Sequence, residues 1–118
     1  MAATWDPVLV NRAATAVALE TRAEGVRQVL SPVINVVRDA RWGRTEESYG
    51  EDPLLSSRMA VAFVSAFEKN GVVTTPKHFV LNNGDGGRDS NSAHISERLL
   101  RDIYMEPFRA VVEEAASA

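Results

Sequence analysis

The sequence contains no cysteine. That excludes disulfides and any thiolate-held metal, and it leaves the cellular compartment open. It has no basic excess either: thirteen lysines and arginines stand against sixteen aspartates and glutamates, for a net charge of -3. With no basic run and no stripe of alternating basic and aromatic residues, nothing attracts nucleic acid or an anionic membrane surface. No apolar run approaches the roughly 20 residues of a membrane span. No basic segment followed by an apolar core opens the chain, so no signal peptide is visible. Only two histidines are present, His78 and His94, and their separation matches no metal-ligand spacing. The residues imply neither a metal nor a cofactor.

What remains is ordinary: 118 residues, 45% hydrophobic and 25% charged, with no low-complexity segment. This is enough chain for one small folded unit. Asp6-Pro7 opens a helix, with Asp as the cap and Pro at the first helical position. Apolar residues then recur with helical spacing over 8–24, and Gly25 closes the element. Residues 26–37 are rich in Val, Leu and Ile, as suits a strand covered on both faces, with a bend or edge at Ser31-Pro32. Asp52-Pro53 repeats the helix start, and Leu54/Leu55, Met59, Ala62/Phe63 and Ala66/Phe67 form its buried face up to Gly71. A second strand is expected over 72–79. Ser96 is the expected cap of a third helix from Glu97, with its apolar face at Leu99/Leu100, Ile103 and Tyr104 and a break or kink at Pro107.

The order is α-β-α-β-α with long loops after both strands, which implies parallel strands joined by right-handed crossovers. Two parallel strands make a poor sheet, and three apolar helix faces need more sheet than that. The chain therefore reads as a segment of a larger α/β domain, in which Val17, Val26, Leu30, Met59, Phe63, Phe67, Val72 and Val73 would all be buried. In the segment alone, some of these are expected to be exposed.

Both strand ends are polar. The first leads into Arg38-Asp39-Ala40-Arg41-Trp42-Gly43-Arg44, followed by Glu46, Glu47, Glu51 and Asp52. An ion-pair lattice that pins the loop accounts for most of these charges. Asp52 reads as a helix cap and Trp42 as packing, while one or two arginines can face a polar ligand, since the guanidinium fork contacts two oxygens at once. The second strand ends in Pro76-Lys77-His78-Phe79 and enters a loop rich in Gly, Asp and Asn over 82–94. In parallel α/β folds, ligands gather at such carboxyl ends. Taken alone, Lys77 reads as a surface lysine and His78 as a hydrogen-bonded core histidine; the second polar strand end makes a shared site the better reading. Gly84-Asp85-Gly86-Gly87 neither opens into a helix nor precedes Gly-Lys-Ser/Thr, so the alternative of a non-catalytic module for a phosphorylated or nucleotide ligand is the weaker one. Asp85 and Asp89 read as loop caps.

In their order and spacing, the motifs Arg38 to Arg44, Glu47-Ser48-Tyr49-Gly50-Glu51-Asp52-Pro53, Lys77-His78-Phe79 and Leu99-Leu100-Arg101-Asp102-Ile103-Tyr104 resemble glycoside hydrolase family 3. Ala40 stands where the family's RDPRWGR pattern has Pro. The resemblance implies an α/β fold in which residues 1–118 form part of an N-terminal (β/α)8 TIM-type barrel, incomplete at both ends. It implies a retaining, exo-acting β-glycosidase whose partner is a carbohydrate, a β-glucoside or β-xyloside. Arg44, Lys77 and His78 match the family's contacts to the sugar hydroxyls nearest the cleavage point. Retaining hydrolysis needs two carboxyl groups about 5–5.5 Å apart. The family's nucleophile, an Asp in a Ser-Asp-Trp-like motif, has no counterpart in this sequence, and its acid/base Glu belongs to the following domain. No catalytic residue is expected in this chain, and the remainder of the barrel and the following domain are the expected partners. One branch of the family uses a loop histidine as acid/base, but with a KHFPGHG motif that is absent here, so His94 reads as a surface or structural residue.

Overall fold

A computed structural model describes residues 1–82, 84 and 92–115. Helix α1, Pro7–Ala23, and helix α2, Pro53–Lys69, begin where the two Asp-Pro pairs require. The Asp6 carboxylate accepts from the Val8 and Leu9 amides and that of Asp52 from the Leu55 amide, which satisfies first-turn donors that have no intrahelical partner. Gly25 and Gly71, at φ 83° and 72°, turn the chain after each helix in a conformation that costs other residues a steric clash.

The strand ladder is shorter than the apolar runs. Strand β1, Gln28–Val29, pairs in parallel with β2, Val73–Thr74, and a separate bridge joins Val33 to Lys77. Between the ladder and the bridge, the first strand takes one residue more than the second. Pro32, lacking an amide to donate, sits in that interval, where its carbonyl accepts from the Lys77 amide at 2.9 Å. The continuous strands expected over 26–37 and 72–79 are thus replaced by short paired pieces. The physical reason is that each strand has one neighbour among the described residues, and Pro32 interrupts that pairing.

Helix α2 lies at the centre. Its wide buried face, including Ser56, Met59, Ala60, Phe63, Val64 and Phe67, meets α1 on one side, β2 beneath, and the C-terminal helical run on the other side. Helix α1 contributes the stripe Val10, Ala14 and Ala18. Asn11 Nδ2 donates to the Ala62 carbonyl and Arg22 Nη1 to that of Asn70, so the two helices run in the same direction, as successive crossovers in a parallel α/β fold do. Of the eight positions expected to be buried in a larger domain, Met59, Phe63, Phe67 and Val72 are buried here, while Val17, Val26, Leu30 and Val73 are exposed.

Ser96 caps α3, Glu97–Leu99, through the Leu99 amide. The run continues through a π-helical turn, Leu100–Tyr104, into α4, Glu106–Ala110, and a second π turn, Val111–Ala115. Pro107 does not end this run. The Met105 amide reaches back five residues to Leu100, and the α pattern resumes with Arg109 donating to Met105. The widened turn accommodates the proline that an unbroken α-helix would exclude. Tyr104 is buried on this run, Leu100 and Ile103 half-buried, and Leu99 exposed.

Candidate functional site

The two polar strand ends meet. Ile34 donates its amide to the Lys77 carbonyl at 2.8 Å, which brings the chain before Arg38 alongside Lys77-His78. The Lys77–His78 and Phe79–Val80 peptide bonds are cis, as is Ser31–Pro32. Across the strands, Arg44 Nη1 lies 2.6 Å from His78 Nε2. The rest of the Arg44 guanidinium grips Glu47, Nε to Oε1 at 2.6 Å and Nη2 to Oε2 at 2.7 Å, a two-pronged pairing that fixes the plane of the fork. The Glu47 carboxyl is held below the usual glutamate range, chiefly by these hydrogen bonds, with smaller contributions from the positive charge of Arg44 and Lys77. Lys77 itself is half-buried, and its ammonium makes no hydrogen bond or ion pair with the described residues. Arg44, Lys77 and His78, expected at one site from their motifs, therefore lie together.

Of the ion-pair lattice expected over 38–52, the described residues show local pairs. Arg41 binds Asp39 through its backbone amide, Nε and Nη2, and the Asp39 carboxyl is drawn down to about 2 by those bonds. Arg38, Glu46 and Glu51 stand exposed outside these pairs. Trp42 packs with Val33 and Val37, as expected of a packing residue. Tyr49 is buried, and burial pushes its phenol well above the ordinary range. His94 is exposed. Asp85 and Asp89 lie outside the described residues.

A cleft of about 320 Å³ opens beside the cluster, lined in part by Ser31, Val33, Glu46, Glu47 and Tyr49. It reaches Glu47, and Arg44, Lys77 and His78 are not among its lining residues.

One residue of the site escaped the sequence reading. Asn35, 1% exposed, lies under Lys77-His78-Phe79-Val80. Its Nδ2 donates to the His78 and Val80 carbonyls at 2.9 and 3.2 Å, and its Oδ1 accepts from the His78 amide at 2.7 Å. The available signal was one amide side chain inside the apolar run 33–37, since a buried polar group requires partners.

The family described as glycosyl hydrolase family 3 N-terminal domain matches over residues 1–118. The chain is 45% identical to a beta-xylosidase of Formosa agariphila, with 97% of this chain and 17% of that protein covered. It is 39% identical to a beta-glucosidase of Rhizobium radiobacter, with 98% and 14% covered. The structure of beta-glucosidase 3B from Thermotoga neapolitana in complex with glucose superposes with a TM-score of 0.93 at 38% identity, covering 97% of this chain and 16% of that one. The chain thus spans about one-sixth of the length of these relatives.

Proposed function

The chain belongs to glycosyl hydrolase family 3, matched along its whole length by the N-terminal domain, and on that premise we propose that the protein carrying this segment is a retaining, exo-acting β-glycosidase that removes terminal β-linked glucose or a similar sugar. The segment contributes one part of a (β/α)8 barrel, incomplete at both ends. Arg44, Lys77 and His78 hold the sugar next to the bond that breaks, while the nucleophile and acid/base come from the rest of the barrel and the domain after it. The names of the relatives, a xylosidase and glucosidases, and the glucose bound to one of them support this reading.

The observation that carries it is the convergence of Arg44 and His78, 2.6 Å apart, from two different strand ends. A neutral sugar presents hydroxyls that both donate and accept. Lys and Arg offer donors only, while a histidine ring nitrogen accepts when it is bare. Groups of both kinds, fixed on neighbouring strand ends, orient a ring for attack at its anomeric carbon. Hydrogen bonds that tighten as oxocarbenium character develops lower the barrier further. No observation among the described residues favours a phosphorylated or nucleotide ligand.

The test is kinetic and thermal together. In the full-length protein, Lys77→Ala and His78→Ala are each expected to lose about 1.5–3 kcal/mol of transition-state binding, roughly ten- to a hundredfold in kcat/KM on aryl β-glucosides or β-xylosides. Melting temperatures are expected to change little. A large fall in melting temperature with unchanged kinetics would assign both residues to structure alone.

A further inference from the structure

Asn35 touches the site from below, and its contacts determine which hydrogen-bonding face His78 presents above. The orientation of its amide follows from its neighbours. One end lies within hydrogen-bonding distance of two carbonyl oxygens and must be the NH2; the other faces the His78 backbone N–H and must be the oxygen. That oxygen is also 3.0 Å from His78 Nδ1. An amide oxygen only accepts, so Nδ1 carries the hydrogen. The opposite ring nitrogen, Nε2, lies 2.6 Å from Arg44 Nη1, and a guanidinium nitrogen only donates. Nε2 must therefore be bare. A doubly protonated ring would set N–H against N–H here and place two like charges in contact.

We propose that Asn35 is a positioning residue that holds His78 as the neutral Nδ1–H tautomer, so that Nε2 is an obligate acceptor. A hydroxyl that takes Arg44's place at Nε2 must then donate its hydrogen, while Lys77 and Arg44 require oxygens that accept. The site then discriminates by donor and acceptor pattern. All four Asn35 contacts are to the backbone of the Lys77–Val80 stretch or to the ring it carries, so the same side chain sets both the path of that stretch and the state of its histidine. This inference rests on the sugar-binding reading for its purpose, though not for its chemistry.

The experiment is nitrogen NMR of the full-length protein labelled at the histidine ring nitrogens, with the His78 signals identified by their loss in His78→Ala. At neutral pH the unmutated protein is expected to show the coupling pattern of a protonated Nδ1 and a bare Nε2. Asn35→Ala is expected to lose that single pattern and about tenfold in kcat/KM, the scale of one hydrogen bond. A protonated Nε2 in the unmutated protein would overturn the assignment. So would a folded Asn35→Ala protein that keeps the Nδ1–H pattern. Should Asn35→Ala fail to fold, the unmutated spectrum decides alone. The outcomes separate: an Nδ1–H signal together with unchanged kcat/KM in His78→Ala refutes the sugar site and leaves the tautomer standing.

Discussion

Arg44 is the residue on which the site turns, because its guanidinium serves two masters: a carboxylate on its own loop and a ring from the neighbouring strand end. Glu47 keeps that fork in plane, and the pairing has a definite pH signature. The folded carboxyl titrates below its ordinary value, so the stability it adds is present above the unfolded glutamate range and disappears as pH falls through the lower folded value. The pair is partly exposed, with Arg44 at 18% and Glu47 at 42%, so its contribution to stability is small and its effect is orientation. A carbon-detected titration of the Glu47 carboxyl is expected to give a midpoint below the ordinary glutamate value, moving back up in Arg44→Leu. A midpoint already at the ordinary value would mean that the clamp does not persist in solution. Lys77 differs from Arg44 in that its ammonium has no hydrogen-bond or ion-pair partner among the described residues.

At the scale of elements, stability is concentrated in α2 and its caps. Asp6→Ala and Asp52→Ala each remove a side-chain acceptor from a helix start and are expected to cost about 1 kcal/mol, read from urea melts. Phe67, 2% exposed and stacked on Phe63 with ring centroids 4.6 Å apart, joins the helix layer to the strands. Phe67→Ala is expected to cost about 3–5 kcal/mol, several times either cap. A loss no larger than that of the caps would show that the core around α2 collapses readily onto the gap. These elements were plain in the sequence because their signals are local: a cap lies within three residues of the amide it serves, and a buried helical face repeats every three or four. Pro107 was equally visible, but its consequence was not. Whether a proline breaks, kinks or widens a helix depends on what holds the residues on either side, and here the buried Tyr104 and Phe108 anchor both.

For the whole molecule, the exposed apolar side chains carry the main consequence. Leu30 and Val73 from the strands, at 69% and 52%, and Leu54 and Val112 from the helices, at 64% and 69%, face solvent in this segment. Such surface promotes association, as do strand edges with unpaired amides and carbonyls. The 118-residue segment expressed alone is therefore expected to self-associate in analytical ultracentrifugation and to show no turnover of aryl β-glucosides or β-xylosides, because a route through a covalent glycosyl-enzyme needs a carboxylate pair. Turnover that survives purification and is lost on mutating Asp85 or Asp89 would place a catalytic acid in the loop that contains them.

By itself the sequence determined the helix starts and stops, the alternation of helix and strand, and the family motifs that single out Arg44, Lys77 and His78. All of these depend on neighbours a few positions apart or on an ordered set of short patterns. Tertiary structure decided how far the strands pair, since a strand forms only where a neighbour meets its hydrogen bonds. It also decided that Arg44 joins His78 from 34 residues away, and that Asn35 lies beneath the ring from 43 residues away. No local pattern encodes those meetings. They arise because two polar strand ends, brought side by side by parallel pairing, must satisfy buried donors and acceptors with whatever the other strand supplies.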